Sequence, residues 1–206
     1  MFDRLAEWVV SVIEALGYVG LTFLVALESI FPPIPSEIIL PLAGFLTGQG
    51  RFSFALVLIA TTIGSVLGAL VLYGVGAAIG PRRVRRLVQT YGKWALLSEQ
   101  DLDRAETWFD RFGPIAVFSG RLAPIVRSLV SIPAGYRRMP LGQFVLLTAA
   151  GSGLWNGSLV ALGWLFGDNW HVIERYVGWL QYLVIVAAAV IVVRFVWTRL
   201  QARRSA

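Results

Sequence analysis

The chain has 206 residues, 57% of them hydrophobic and 15% charged, with a net charge of +6. That balance excludes a soluble domain and points to one integral membrane domain, since no long polar stretch could form a second. The basic residues flank apolar runs, the pattern of cytoplasmic loops facing anionic headgroups and not of a nucleic-acid surface. The chain has no cysteine, so disulfides and thiolate chemistry are excluded.

Residues 2–16 place Phe2, Leu5, Val9, Val12, Ile13 and Leu16 on one helical face, with Asp3, Arg4, Glu7 and Glu14 elsewhere. This predicts an amphipathic helix at the membrane interface, and the acids argue against a signal peptide. The stretch Glu28–Gly44 follows, in which Glu28 and Glu37 stand in an apolar run broken by Pro32, Pro33 and Pro35. The uncharged pieces on either side, Ala15–Leu27 and Ile38–Gly50, are each shorter than the roughly 20 residues a span needs. Residues 15–50 are therefore expected to form a re-entrant hairpin that turns at the prolines. Irregular backbone at membrane depth is tolerated only when buried in protein or lining a wet cavity, and acids there are costly and functional by default.

Residues 52–80 are uncharged and long enough to span with tilt, and their small residues permit close helix packing within one chain or in a homodimer. The span stops at Pro81 and Arg82, Arg83, Arg85 and Arg86, which the positive-inside rule places in the cytoplasm against anionic lipid headgroups. The stretch to Arg111, with Leu102, Ala105, Trp108 and Phe109 on one face, predicts a second interfacial helix. Residues 112–136 repeat the hairpin with opposite charge: Arg121 and Arg127 lie in an apolar run broken by Pro114, Pro124 and Pro133. A second span follows at 139–167 and a third at about 176–193 (to 198 with its flank), leaving the C-terminus cytoplasmic.

A weak internal repeat divides the chain into halves, residues 1–80 and 81–167. Each reads as interfacial helix, broken hairpin and long span. Gly64-Ser65 and Gly80 match Gly151-Ser152 and Gly167 at equal spacing, and Pro41-Leu-Ala-Gly44 echoes Pro133-Ala134-Gly135. The spans run in opposite senses, so the halves would be inverted, a recurring plan among secondary transporters.

If the hairpin tips meet, Glu28 and Glu37 face Arg121 and Arg127. Guanidinium forks suit phosphate oxygens, and a carboxylate out of water can exchange a proton in step with a gradient. A proton-coupled carrier of an anion or a phosphate headgroup would use both. The alternative is that the four residues are structural ion pairs locking the hairpins. Glu37 could instead cap the helix that follows it, and Asn156 could face the cavity or bond between helices. His171 is the only histidine and the acids do not cluster, so no metal or cofactor is expected, and no nucleophile–base arrangement suggests an enzyme.

At these hairpins the sequence resembles the DedA family of the VTT-domain superfamily. The resemblance rests on Glu28-x-x-x-Pro32-x-x-Pro35-x-Glu37 and on Phe118-x-Gly120-Arg121-x-x-Pro124-x-x-Arg127, followed by Ala134-Gly135 and Met139. Gly151, Trp155, Gly163 and Gly167 resemble the family's later block. The resemblance implies opposed re-entrant hairpins in the bacterial inner membrane and transbilayer movement of a phospholipid such as phosphatidylethanolamine or a polyprenyl phosphate such as undecaprenyl phosphate, coupled to protons or sodium. It assigns the acidic pair to Glu28 and Glu37 and the arginine pair to Arg121 and Arg127. Pro32, Pro35, Gly120, Pro124 and Gly135 would shape the hairpins. Glu37 departs from it, since several members carry Asp after a longer proline loop. A proton or cation antiporter and a chaperone-like membrane protein without transport remain the alternatives.

Overall fold

The computed structural model describes residues 2–31, 36–91, 99–123 and 126–166. Pro32, Pro33, Pro35, Pro124, Gly167 and the span expected at 176–193 lie outside them. The described chain is that of an all-α polytopic membrane protein. Its elements are α1 (Phe2–Ile30), α2 (Ser36–Gly48), α3 (Phe54–Tyr91), α4 (Glu99–Gly120), α5 (Val126–Leu129), α6 (Ser131–Tyr136) and α7 (Leu141–Phe166).

Two glycines divide elements that would otherwise be single rods. Gly17 (φ 60°, ψ −136°) separates the amphipathic start of α1 from its apolar remainder. Gly80 (φ 69°, ψ 164°) ends the apolar part of α3. It occupies a backbone region essentially reserved for glycine. Pro81 then opens the basic helix beyond it, a first-turn position where its missing N–H costs nothing. Trp8–Ile30 is apolar and long enough by count to cross a membrane, but Gly17 breaks it. The piece beyond Gly17 and α2 each run about 20 Å, short of a hydrocarbon core of about 30 Å.

In the second half the expected break near residue 112 is absent. α4 runs unbroken through Gly113 and Pro114 from the charged stretch into the hairpin arm. A single proline removes one hydrogen bond, which a helix otherwise supported by packing can absorb. The returning arm is the irregular one, split into α5 and α6.

Two apolar clusters form the core. One contains Leu21, Leu24, Val25, Ile39, Leu40, Val57, Ala60, Leu159 and Val160; the other contains Ala69, Val117, Val130, Ala134 and Phe144. Along α3, buried Thr61 and Ser65 separate the two clusters; along α7, buried Thr148, Ser152 and Asn156 do so in the opposite sequence order. The two long helices are thus antiparallel and carry a buried polar layer at mid-length, closed by a hydrogen bond from Asn156 Nδ2 to Ser65 Oγ (3.1 Å).

Glycines let the backbones approach, and they do so in a pseudo-symmetric pattern. A Cβ on Gly64 would lie 2.4 Å from the Thr22 carbonyl of α1, and one on Gly151 would lie 2.8 Å from the Phe118 carbonyl of α4. Each outgoing hairpin arm therefore packs on the span of its own half. The returning arms cross over. Gly44 and Gly163 join α2 to α7, where an added Cβ would stand 2.1 Å from a backbone oxygen; Gly135 and Gly76 join α6 to α3 at 2.0 and 2.2 Å. Gly163 follows Gly151 at the interval by which Gly76 follows Gly64. Matching ion pairs tie each interfacial stretch to the loop before its span. Glu14 meets Arg51 at 2.6 Å, and Asp110 meets Arg137, whose Nε donates to Oδ1 at 2.9 Å. The faces left over are apolar. Leu56, Ile59, Ile63, Leu67, Val71 and Val75 form an exposed stripe along α3, as a lipid-facing helix requires.

Candidate functional site

The polar layer gathers three of the four charged residues expected at the hairpin tips. Glu28 ends the apolar part of α1 and is 2% exposed. Its Oε1 forms an ion pair with Nη2 of Arg127, which α5 carries into the interior. Oε2 of Glu28 is buried and makes no hydrogen bond among the described residues. The pair joins one hairpin to the other, and half of the carboxylate's acceptor capacity is left open.

Arg121 has a different environment. It is 3% exposed and donates to three neutral oxygens: the Arg127 carbonyl (2.5 Å), Ser131 Oγ (2.8 Å) and Thr148 Oγ1 (3.3 Å). Its guanidinium lies 5.6 Å from the Phe144 ring centroid, a cation–π contact. Gly151 makes room for it, since a Cβ there would meet the Arg121 Cβ at 2.8 Å. Arg121 thus braces the turn that carries Arg127 against α6 and α7.

Glu37 stands in the first turn of α2, where a carboxylate favours the positive end of a helix dipole. Among the described residues it forms no ion pair, and the structure does not bring it into the Glu28–Arg127 contact. Gly120 closes α4 just before Arg121, and Gly135 is the close-contact glycine of α6. Pro32, Pro35 and Pro124, expected to shape the same turns, lie outside the described residues. Asn156 bonds between helices, yet its Oδ1 is buried without a partner among the described residues, as are Ser36 Oγ and Arg121 Nε. Ser131 and Thr148, the side chains that seat Arg121, were not singled out from the sequence. Thr148, a polar residue in an apolar span one turn before Gly151-Ser152, was the available signal.

The arginines that follow Pro81 are also partly committed. Arg85 pairs with Asp103 (2.5 Å), Glu106 (3.5 Å) and Glu99 (3.9 Å) of α4. Of the run expected to face anionic headgroups, Arg85 is therefore turned to protein. Glu106 also meets Arg137 at 3.4 Å, so α4 links the end of the first half to the start of the second span. Among the described residues no group of three or more His, Cys, Asp or Glu is placed to hold a metal ion.

Comparison with known proteins agrees with this architecture. The VTT domain profile matches residues 34–165. The chain is similar to undecaprenyl phosphate transporter A of Staphylococcus aureus (34% identity, 91% of this chain and 94% of the relative). It is similar at 33% identity to the protein of the same name from Bacillus subtilis, with 95% and 93% covered. An alkaline phosphatase-like protein of Lactococcus lactis subsp. cremoris is 45% identical over 81% of this chain and 78% of its own. No solved structure matches. The chain belongs to the VTT-domain, or DedA, family of multi-pass membrane proteins.

Proposed function

We propose that this protein is a transporter that moves a lipid phosphate, with a polyprenyl phosphate such as undecaprenyl phosphate as the first candidate, across the inner membrane together with protons. The observation that carries the reading is the buried Glu28–Arg127 pair between the two hairpins. Two relatives that share more than nine-tenths of their length with the chain carry transporter names for that lipid.

In this reading the hairpins are re-entrant from opposite faces, and the basic end of α3 and the C-terminus are cytoplasmic. Arg127 alternates between two anions. With Glu28 ionised, the guanidinium is neutralised by the carboxylate. When Glu28 takes a proton at its open Oε2, Arg127 is left a buried cation without a partner, a costly state that a phosphate relieves through a bidentate fork. Loss of the proton restores the internal pair and expels the substrate. Arg121 holds the Arg127 turn in place. Glu37, at the other end of the first hairpin turn, is the second proton carrier, and sodium could replace the proton in either position.

The test is a transbilayer assay in proteoliposomes comparing a polyprenyl phosphate with phosphatidylethanolamine, with and without a pH gradient, for the wild type and Arg127→Ala. Movement of the polyprenyl phosphate that needs Arg127 and follows the gradient supports the reading. Gradient-independent movement of both lipids would make it a scramblase. Failure of either lipid to move with folded protein would leave the antiporter and chaperone-like readings. Release of inorganic phosphate in the same vesicles would instead favour the hydrolase suggested by the name of the Lactococcus relative.

A further inference from the structure

A trough of about 570 Å³ lies between α4 and the α5–α6 arm, within the usual range of about 300–1,000 Å³ for small-molecule sites. Ala105, Ala116, Ser119 and Gly120 form its floor along one face of α4, while Val126, Leu129, Val130 and Pro133 form the opposite wall. Trp108, Phe109 and Tyr136 stand at its end away from Gly120. From Ala105 to Gly120 the helix rises about 22 Å, most of a hydrocarbon core of about 30 Å.

Between its ends, the floor and opposite wall of the trough offer no free side-chain polar group among the described residues. Ser119, its one hydroxyl on the floor, is already satisfied by donating to the Ile115 carbonyl (2.7 Å). Val126 and Leu129 are 46% and 53% exposed, so the wall is open on its side. Its upper end is formed by the same helical turn that carries Arg127. Val126 and Leu129 of α5, with Val130 just after it, face the trough, and the Arg127 guanidinium leaves from another side of α5 to meet Glu28. A cationic site and an apolar channel are thus two faces of one short element. That pairing fits an amphiphile with a single anionic end. At the far end, Trp108 and Tyr136 supply the amphipathic rings found where a chain leaves the hydrocarbon for the interface.

Resting on the transport reading above, we propose that this trough seats the hydrocarbon chain of the lipid whose phosphate is held at Arg127, so that the chain slides along α4 while the headgroup crosses. Small side chains on the floor keep the channel open. The bound segment is the part of the chain next to the phosphate, because the trough is too short for a long polyprenyl tail.

The test uses the full-length protein in proteoliposomes with a polyprenyl phosphate that carries a diazirine near its phosphate end. Light should attach it to peptides containing Trp108, Ser119 and Leu129, and unlabelled polyprenyl phosphate should compete. Ser119→Trp, at an exposed floor position, should cut movement of this lipid about tenfold, the scale of one blocked apolar subsite. Binding of a short-chain, water-soluble prenyl phosphate should survive Ser119→Trp but be lost in Arg127→Ala. Leu129→Trp from the opposite wall should repeat the effect. The trough is refuted if labelling spreads evenly over the lipid-facing residues Leu146, Leu154 and Leu162, or if both tryptophan variants transport normally while Arg127 remains essential. It is refuted too if Ser119→Cys forms disulfide-linked dimers, or a disulfide with Leu183→Cys that blocks labelling, since a second copy or residues 176–193 would then occupy it. If the short-chain phosphate binds equally with and without Arg127, the parent reading fails instead.

Discussion

The two arginines of the hairpin tip should respond in opposite ways to the same conservative change. Arg121 satisfies three neutral oxygens at once from a fixed fork. A lysine ammonium on a flexible stem can reach one of those positions, leaving about two hydrogen bonds from a charged group unmade. At about 1.5–3 kcal/mol each, Arg121→Lys should cost about 3–6 kcal/mol. A chain of this size loses about 2–4 °C of Tm per kcal/mol, so the midpoint should fall by more than 6 °C. Arg127→Lys, by contrast, keeps a cation opposite Glu28 and should move Tm by no more than about 3 °C, while abolishing phosphate movement because the bidentate fork is gone. The measurements are thermal unfolding in detergent, followed by the loss of monodisperse protein, and the proteoliposome assay on the same preparations. Equal Tm for the wild type and Arg121→Lys, with collapse of Arg127→Lys, would refute the division of labour drawn from the geometry.

Other outcomes follow from the packing. Gly163→Ala and Gly76→Ala would press a methyl against backbone oxygens of α2 and α6, at 2.1 and 2.2 Å in the present geometry, and should each lower stability by about 1–3 kcal/mol. Gly153→Ala, whose nearest neighbour is Thr62 Oγ1 at 3.6 Å, should be neutral in the same melts. Gly80→Ala forces a side chain into a glycine-only conformation with open space around it, so its cost of about 1–3 kcal/mol should be pure backbone strain. A double variant with Pro81→Ala should recover little of it. Where α4 meets the start of the second span, the hydrogen bond to Asp110 is the first cause that raises the Arg137 pKa above the usual arginine range, against partial desolvation. A raised cationic group stabilises below its unfolded pKa and loses that contribution only above its folded one. The Tm gap between the wild type and Arg137→Gln should therefore stay constant between about pH 7 and pH 10.

Much of this architecture is legible in the sequence, because a bilayer imposes strict rules on composition. Charge-free runs of span length, arginines at one end of them and prolines between half-length apolar pieces each have few physical solutions. The glycine echoes at 64 and 151 already pointed to two related halves, and Glu28 and Arg127 were suspect because ionised groups are expensive in hydrocarbon. Tertiary structure decided what one-dimensional spacing cannot carry. Arg121 and Arg127 look alike in sequence, and only packing reveals that one faces hydroxyls and a carbonyl while the other faces a carboxylate. Glu28 and Glu37 flank the same turn, but only Glu28 is brought to the opposing hairpin. The continuity of α4 through Pro114 was likewise hidden, since a proline lowers helix stability locally and cannot report the packing that outweighs it. The crossing of the returning arms onto the spans of the opposite halves depends on pairs of glycines far apart in the chain. Each permits an approach that its own neighbours in sequence give no sign of, and that crossing sets the Arg127 turn against Glu28.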